Sequence, residues 1–310
     1  MTGDTSPTLS IVTAVYNGKE FIAACISSVA SAVEDSGPNA IEHMIVDGGS
    51  TDGTAEIIES FAASHPHIRY VSEPDQGQSD AMNKGLALAS GRIVSFLNAD
   101  DFYEPGALAD VLRRFELLDE PALLIGNCGV VDREGGDFRL RRPETRCLSR
   151  MFVIWRYAMP FNPSAYFYHR SLHDLVGGFD VEEHFAMDYD FLVRAYRRAR
   201  VTLVDEHYGN MRYYEGAKTF DSERDSLQFG QIERVFRTQA AREGRLYRLL
   251  LLTELEIERI ARGCYPRPSI GQRVLVRSRP VTLRATAALL RLLDDVAVVR
   301  RRRFRVSVSA

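Results

Sequence analysis

The sequence has few cysteines, and none of them has the spacing of a metal or redox motif. Four cysteines are spread over 310 residues without a Cys-x-x-Cys pair, so neither a zinc knuckle nor a disulfide framework is predicted. The sequence also lacks an uncharged apolar run near the about 20 residues that span a bilayer. Residues 1–10 lack the basic segment and apolar core of a signal peptide. We therefore expect reduced, structural cysteines and a cytoplasmic protein.

Lysine is also scarce, and the charges that are present divide unevenly along the chain. There are 3 lysines against 36 arginines, which we attribute to codon bias. Residues 221–310 carry 19 arginines and 10 acidic residues, a net charge of +9, whereas the preceding residues have a net charge of -12. A basic tail favours an anionic neighbour, either a membrane surface or nucleic acid, or a docking face for the acidic part of the chain. We predict peripheral contact with an anionic membrane and no nucleic-acid partner, and leave the oligomeric state open.

Apolar runs alternate with amphipathic stretches over the first hundred residues. Strands are predicted at 9–15, at a segment that ends with 45–46, and at 68–71, 92–97 and 201–204, and helices at 21–29, 55–63 and 80–89. Hydrophobic residues make up 45% and charged residues 26% of the chain, which is ordinary for a soluble globular protein. Because strands and helices alternate with short links, we expect an α/β fold with a largely parallel, doubly wound sheet.

Polar residues follow each predicted strand directly. They are Tyr16 and Asn17, Asp47 and Gly48, Glu73 to Asp75, and Asn98 to Asp101. Ligands bind at the carboxyl ends of the strands in such sheets, although turn composition alone explains any single one of these groups. The Gly-x-Gly-x-x-Gly fingerprint is missing after the first strand, which counts against a nicotinamide or flavin enzyme.

Five segments, in order, resemble the family 2 inverting glycosyltransferases of the GT-A fold, especially the bacterial polysaccharide and glycolipid branch. They are Ser10–Asn17, Ile45–Thr54, Ser72–Gly85, Phe96–Asp101, and Gly177–Asp180 with Met187–Asp190. Together they span about residues 8 to 215. The resemblance implies a GT-A catalytic domain at 1–220, and the remaining residues, 221–310, are predicted to form a basic helical extension.

The resemblance places a nucleotide-sugar at the strand ends. The residues expected to contact it are Ala14, Tyr16, Asn17, Asp47, Asp75, Asn98, Ala99 and Asp100. Tyr16 would border the base, and Asp47 would accept a hydrogen bond from a ring nitrogen, which favours a UDP-sugar. The alternatives are that Tyr16 packs on the following helix and that Asp47 only shapes its turn.

Asn98, Ala99 and Asp100 stand where the family has its Asp-x-Asp motif. Asp100 is therefore the predicted ligand of a divalent cofactor, Mn²⁺ or Mg²⁺, with Asp101 as an outer partner. The family's later histidine is replaced by Tyr214, which leaves a further metal ligand open. In the alternative interpretation, Asp100 and Asp101 cap a helix that starts near Glu104.

Asp188 stands where the family has its catalytic base, at the predicted start of a helix. An inverting transfer needs one carboxylate that takes the proton of the attacking hydroxyl; a helix cap is the alternative role. The remaining predicted contacts are Trp155, Asn162 and Asp190 for the acceptor or sugar, and Arg212 and Lys218 for the diphosphate. The acceptor is expected to be a glycan, a glycolipid or other lipid-linked molecule, or a small molecule.

The tail shows apolar helical patterns at Leu246–Ile260 and Val281–Val299, followed by Arg300–Arg303. This arrangement suits an amphipathic helix at the inner face of the membrane, or a helical pair that packs on the catalytic domain or a second subunit. The Gln-x-x-Arg-Trp motif of processive family members is missing, so we expect transfer of one sugar. A sugar nucleotidyltransferase and a catalytically silent binding or scaffold protein are the alternative functions.

Overall fold

The computed structural model describes residues 7–37, 40–136, 138–143, 162–183 and 186–218, with scattered positions beyond, including 307 and 308. The chain divides into two compact units. The first comprises Met1–Pro143, Pro160–Ser226 and Arg305–Ala310, and the second comprises Glu144–Met159 and Leu227–Phe304. Trp155 and, apart from positions 248 and 252, the predicted tail helices lie outside the described residues. The division at residue 220 stays a prediction.

The first unit contains every described strand and most of the described helices. In chain order the elements are β1 (Leu9–Val15), α1 (Ile22–Ser36), β2 (Ile41–Asp47), α2 (Thr54–Ser64), β3 (Ile68–Ser72), α3 (Gln78–Leu88), β4 (Ile93–Phe96), β5 (Phe102–Tyr103), α4 (Ala107–Phe115), β6 (Ala122–Val131), β7 (Arg139–Arg141), a 3₁₀ turn (Pro163–Ala165), β8 (Tyr166–His169), α5 (Ser171–Val176), α6 (Met187–Tyr196), β9 (Arg200–Arg212) and β10 (Ser307–Val308). No helix among the described residues is both long enough and apolar enough to cross a bilayer.

The described strands form one sheet in the order β10-β9-β6-β8-β4-β1-β2-β3, with β5 beside β9 and β7 beside β6. The four strands β1 to β4 pair in parallel, as the alternation of strands and helices predicts. β8 is antiparallel to β4 and to β6, and β9 is parallel to β6. Most of the strands therefore run in one direction, which confirms the largely parallel sheet.

Helices cover both faces of this sheet. Successive residues of a strand point to opposite faces, and in β1 Ile11 packs in one core cluster with Cys25 and Val29 of α1. Val12 lies under α3, where a Cβ at Gly85 would come 2.4 Å from its Cγ1. Glycine at this position therefore lets α3 approach the sheet closely, and the doubly wound arrangement is confirmed.

Several boundaries differ from the sequence prediction, and three of these differences concern the site. α3 begins at Gln78 rather than Asp80, and β9 runs from Arg200 to Arg212, well beyond the predicted 201–204. The helix predicted near Glu104 begins at Ala107, with Gly106 as its N-cap. Asp100 and Asp101 precede β5 instead, so the interpretation that they cap this helix is wrong.

Candidate active site

The loops after β1 and β2 are tied together at the carboxyl edge of the sheet. Asn17 accepts a hydrogen bond from the backbone N–H of Thr51 at 2.9 Å and donates its own N–H to Ser50 Oγ at 2.7 Å. Its φ of 50° is left-handed, a conformation that asparagine adopts more readily than most residues. Asn17 thus fixes the two loops relative to each other, and its direct contact with a nucleotide stays a prediction.

Ala14 and Tyr16 lie on the open side of this edge. Ala14 is the only residue of β1 that is not buried, and Tyr16, two residues further on, is 66% exposed. The alternative that Tyr16 packs on the following helix is disfavoured by this exposure. An exposed aromatic ring at a strand end is available to stack on a flat base.

Asp47 lies at the same edge but is enclosed. Its side chain is 0% exposed. Its Oδ2 accepts hydrogen bonds from Ser50 N at 3.1 Å and Ser72 Oγ at 2.6 Å, and its Oδ1 accepts one from Ser50 Oγ. Because both oxygens are engaged inside the protein, the geometry disfavours a direct bond to the base. It favours a role in holding the loop after β2.

Asp75 lies next to Gly48 with a more accessible carboxylate. Its Oδ1 accepts a hydrogen bond from Gly77 N at 2.8 Å, and a Cβ at Gly48 would lie 2.6 Å from its Oδ2. Glycine at position 48 therefore lets the carboxylate rest against the end of β2. Asp75 is only partly buried, so its carboxylate is accessible to a ligand at the carboxyl edge of the sheet.

Asp101 is the buried centre of the site. It is 1% exposed and accepts hydrogen bonds from Asn98 Nδ2 at 2.8 Å, Asn162 Nδ2 at 2.7 Å and the backbone N–H of Arg212 at 3.1 Å. Burial and the neighbouring charge of Asp100 raise its pKa to about 8. Asp101 therefore connects the residues after β4, the 3₁₀ turn and β9, and its role as an outer partner of a metal stays a prediction.

Asp100 and its neighbours fit a cation that arrives together with phosphate. The described residues contain no group of three or more His, Cys, Asp or Glu that could hold a metal. Asp100 is partly exposed, burial raises its pKa, and the hydroxyl of Tyr214 lies 3.4 Å from its Oδ2. Mg²⁺ is commonly held by one or two carboxylates, water and substrate phosphate. Asp100 could supply the carboxylate of such a set, and its role as a metal ligand stays a prediction.

Arg212 contacts the backbone of Asp100 and two aromatic rings. Its Nη1 donates to the backbone oxygen of Asp100 at 2.5 Å. Its guanidinium lies over the rings of Phe102, at 4.8 Å, and Phe21, at 5.2 Å. Such cation–π contacts stabilise the position of an arginine. Arg212 therefore supports the backbone of Asp100, and its contact with a diphosphate stays a prediction.

Asp188 lies in the first turn of α6 and is partly exposed. The N-cap is Ala186, which makes no side-chain capping bond, and Asp188 Oδ1 accepts the N–H of Tyr189 at 2.8 Å. Burial raises the pKa of Asp188, while the Tyr189 N–H and the charge of Lys218 lower it. A carboxyl group with a raised pKa is better suited to accept a proton near neutral pH.

The helix that carries Asp188 is docked on the start of α3. Ser79 donates from its Oγ to Met187 Sδ at 2.8 Å and to the backbone oxygen of Glu183 at 3.0 Å. α3 follows the loop that contains Asp75. The contact therefore brings the predicted base to the same edge of the sheet as the predicted donor site.

The predicted acceptor residues have observed partners that are structural. Asp190 forms an ion pair with Arg194 at 2.8 Å within α6. Asn162 is 7% exposed, donates to Asp101 and accepts the N–H of Ser164 at 2.8 Å, which starts the 3₁₀ turn. Their contacts with an acceptor stay predictions, as does that of Trp155, which lies outside the described residues.

Gln78 belongs to the site, although the sequence did not single it out. Its Oε1 accepts a hydrogen bond from Lys218 Nζ at 2.7 Å, and its Nε2 donates to Asn98 Oδ1 at 3.1 Å. Lys218 is thereby held against the start of α3, close enough to Asp188 to affect its pKa. A glutamine at a helix start has no chemical signature of its own, and only the fold brings these three residues together.

Comparisons with known proteins identify the family and the fold. Residues 10–179 match the pattern of glycosyl transferase family 2. The chain is 32% identical over 192 residues to the uncharacterized glycosyltransferase Rv1514c of Mycobacterium tuberculosis, covering 61% of this chain and 69% of the relative. It is also 32% identical over 195 residues to a PGL/p-HBAD biosynthesis glycosyltransferase of Mycobacterium bovis, covering 62% and 70%.

Solved structures share the fold at low sequence identity. S. aureus TarS 1-349 in complex with UDP-GlcNAc superposes with a TM-score of 0.64 at 19% identity, covering 86% of this chain and 77% of that one. The mannosyltransferase PcManGT from Pyrobaculum calidifontis, in complex with GDP-Man and Mn²⁺, gives a TM-score of 0.56 at 20% identity, covering 94% and 86%. The fold is thus of the GT-A type. With the family match extending over more than half of its length, the chain is a glycosyltransferase and belongs to glycosyl transferase family 2.

Proposed function

We propose that this glycosyltransferase moves a single sugar from a UDP-sugar to a hydroxyl group with inversion at the anomeric carbon, and that Asp188 is the general base. The observation that carries the proposal is the environment of Asp188. Its partly buried carboxylate has a raised pKa and lies within the electrostatic reach of Lys218, on a helix docked against the donor edge through Met187 and Ser79.

The donor is inferred from the shape and chemistry of that edge. The exposed ring of Tyr16 offers a stacking surface, and Asp75 offers a carboxylate that can accept a hydrogen bond from a base N–H. TarS was solved with UDP and with UDP-GlcNAc, which favours uracil. PcManGT was solved with GDP-Man, so the nucleotide has to be determined by experiment.

The reaction requires one bond to form and one to break at the anomeric carbon. The acceptor oxygen attacks from the face opposite the diphosphate, its proton passes to a carboxylate oxygen of Asp188, and the diphosphate leaves with the electron pair of the broken C–O bond. Lys218 is proposed to offset the negative charge that grows on the leaving diphosphate. Attack on the opposite face is what inverts the configuration.

A divalent cation is proposed to assist. Asp100 would hold Mg²⁺ or Mn²⁺, which would supply positive charge at the diphosphate oxygens when bound. PcManGT was solved with Mn²⁺. Because the described residues contain no group of three or more side chains that could hold a metal, we expect the cation to bind weakly without a nucleotide.

The acceptor is proposed to be a glycan or a glycolipid. The names of two relatives support this proposal: a PGL/p-HBAD biosynthesis glycosyltransferase and a chondroitin synthase. Peripheral membrane contact through Arg300–Arg303 would suit a lipid-linked acceptor. Co-sedimentation with anionic vesicles should fall when these arginines are replaced by serine, and unchanged sedimentation would remove this part of the proposal.

One assay separates the proposed function from its alternatives. Nucleoside diphosphates are first screened by thermal shift with and without Mn²⁺, since a bound ligand raises Tm. The purified protein is then incubated with the sugar nucleotide and a panel of hydroxyl acceptors, and the product is examined by NMR. Free UDP and a product of inverted anomeric configuration are expected. Retained configuration, pyrophosphate exchange, or binding without turnover would each contradict the proposal.

A further inference from the structure

Four polar side chains of the site form one continuous chain of hydrogen bonds. Lys218 Nζ donates to Gln78 Oε1 at 2.7 Å, Gln78 Nε2 donates to Asn98 Oδ1 at 3.1 Å, and Asn98 Nδ2 donates to Asp101 Oδ2 at 2.8 Å. The chain joins the segment after β9 to the start of α3 and to the end of β4. We call it the amide relay.

The direction of the amide relay is fixed by its two ends. A lysine ammonium has three donors and no acceptor, so it requires the oxygen of Gln78 to face it. At the other end, the Asp101 carboxylate also receives Asn162 Nδ2 and the backbone N–H of Arg212. Reversing either amide would place a donor against a donor or an acceptor against an acceptor. Both amides are therefore held in one orientation.

The asparagine at position 98 suits this direction. It supplies an amide donor to Asp101 Oδ2 at 2.8 Å, which an ionised aspartate could not do. Asn98 donates to Asp101 and leaves its oxygen for Gln78. The amide at position 98 and the glutamine at position 78 thus fit each other chemically.

We propose that Gln78 is a positioning residue that acts through Lys218, holding the ammonium group where the diphosphate of the donor leaves. The inference rests on the proposed function, because it takes the ligand to be a nucleoside diphosphate. Lys218 is one of only three lysines in the chain, and its flexible stem would otherwise sample many rotamers. The amide relay restricts it before the donor arrives.

A merely structural role for Gln78 predicts different behaviour. Gln78 is the first residue of α3, and the N-cap, Gly77, makes no side-chain capping bond. If Gln78 only stabilised the start of this helix, its removal would lower Tm and weaken all ligands of the crevice to a similar degree. Positioning of Lys218 affects only ligands that carry the diphosphate.

The test compares Gln78→Ala with the matched control Gln76→Ala, a glutamine two residues earlier whose side chain is exposed. Affinities for UDP and for UMP are measured by calorimetry on the full chain, together with Tm. Gln78→Ala should weaken UDP by about tenfold, the size of one hydrogen bond to a charged group, and leave UMP within about twofold. Gln76→Ala should change neither affinity. Equal weakening of UDP and UMP, or no weakening of UDP, would overturn the proposal.

A double-mutant cycle with Lys218→Met identifies the route of the effect. If Gln78 acts through Lys218, the double variant should bind UDP no more weakly than Lys218→Met alone, because contacting residues are not additive. Additive losses would overturn the proposal. Should Lys218→Met itself leave UDP binding intact, the diphosphate role of Lys218 in the proposed function fails. A loss with Lys218→Met but not with Gln78→Ala contradicts only the positioning role of Gln78.

Discussion

The pKa of Glu42, at the amino edge of the sheet, shifts in the opposite direction from those of Asp100 and Asp188 at the carboxyl edge. At the amino edge, Glu42 is 5% exposed, and its Oε1 accepts hydrogen bonds from Ser10 Oγ, from Ser90 N and Oγ, and from Gly91 N. Although burial raises its pKa, these hydrogen bonds together lower it below the usual range of glutamate. At the carboxyl edge, burial raises the pKa of Asp100 and Asp188.

The difference shows how one sheet separates stability from chemistry. The four donors around Glu42 favour its charged form, and through them the carboxylate holds strands and loops together. A carboxylate with few internal donors keeps oxygens available for a proton or a cation, at a cost in stability. We therefore expect substitutions at the amino edge to change folding, and substitutions at the carboxyl edge to change binding and rate.

The largest expected effect is that of Asp188→Asn on turnover. Asparagine keeps the shape of the side chain but cannot take the acceptor proton, and a positioned general base contributes about 10² to 10⁴-fold. UDP affinity and Tm should stay close to those of the parent, since a base acts only in the chemical step. The measurement is kcat at saturating donor, with calorimetry of UDP as the control. Full turnover by the folded variant would eliminate this base and direct attention to Asp190.

The pH profile of kcat gives an independent check on the same carboxylate. Because the pKa of Asp188 is raised, activity should fall with decreasing pH at a higher pH than for an ordinary aspartate. The charge of Lys218 lowers this pKa, so Lys218→Met should move the acid limb further upward. An acid limb that stays in place in the lysine variant would contradict the electrostatic link between the two residues.

The next largest effect is expected at the cation site. UDP should bind more tightly with Mn²⁺ or Mg²⁺ than alone, and Asp100→Ala should remove that gain. We expect a loss of at least about 10- to 100-fold, the range seen when a partner that only supports a metal ligand is removed. Calorimetric titration with UDP, in the presence and absence of the cation, measures this difference in affinity for the parent and the variant. Binding that remains metal-dependent in Asp100→Ala would show that the cation is held elsewhere.

The amino edge should respond in stability alone. Glu42→Gln places an amide where four donors converge, so we expect a loss of about 1 to 3 kcal/mol in the free energy of unfolding, measured with urea. Because the folded pKa of Glu42 is lowered, its stabilisation is present above the ordinary glutamate pKa and is lost as pH falls through the folded value. The variant should therefore lose part of the acid dependence of stability. A fall in kcat per folded molecule in Glu42→Gln would contradict the expectation that substitutions at the amino edge change only stability.

Much of the fold could be predicted from the sequence because its signals are local. β1, α1 and the parallel pairing of β1 to β4 follow from apolar runs and alternation, and residues 9–15 were predicted with the observed bounds. β6 and most of β9 were not predicted. Their pairing, Ala122 with Arg200 through Val131 with Arg212, joins distant segments and contains bulges, so no local pattern marks it.

The candidate site was predicted less completely than the fold. The resemblance to the family pointed to Asp100, Asp101 and Asp188, and their roles stay predictions. The motifs could not show that the Asp47 carboxylate is enclosed by Ser50 and Ser72, since burial is set by tertiary packing. They also missed Gln78, which acquires a role only through its contact with Lys218, 140 residues away.

Asp47 lies at the carboxyl edge, but its carboxylate is buried and surrounded by hydrogen-bond donors, as that of Glu42 is at the amino edge. Its buried carboxylate receives two hydrogen bonds from Ser50 and one from Ser72. We therefore expect Asp47→Ala to destabilise the fold by about 1 to 3 kcal/mol through the unpaired donors that it leaves. The preference for UDP over GDP should change little.

Asp75→Ala is the matched variant, since Asp75 is partly exposed at the same edge. It should keep Tm and flatten the preference between UDP and GDP by several-fold, because a base N–H loses its acceptor. Calorimetry with both nucleotides, at a temperature where both variants are folded, measures the ratio of affinities. If Asp47→Ala flattens that ratio and Asp75→Ala does not, Asp47 contacts the base as the sequence motif suggested. In that case the hydrogen bonds from Ser50 and Ser72 to Asp47 must break when the nucleotide binds. Burial in the free protein would then not distinguish structural carboxylates from ligand-binding ones at this edge.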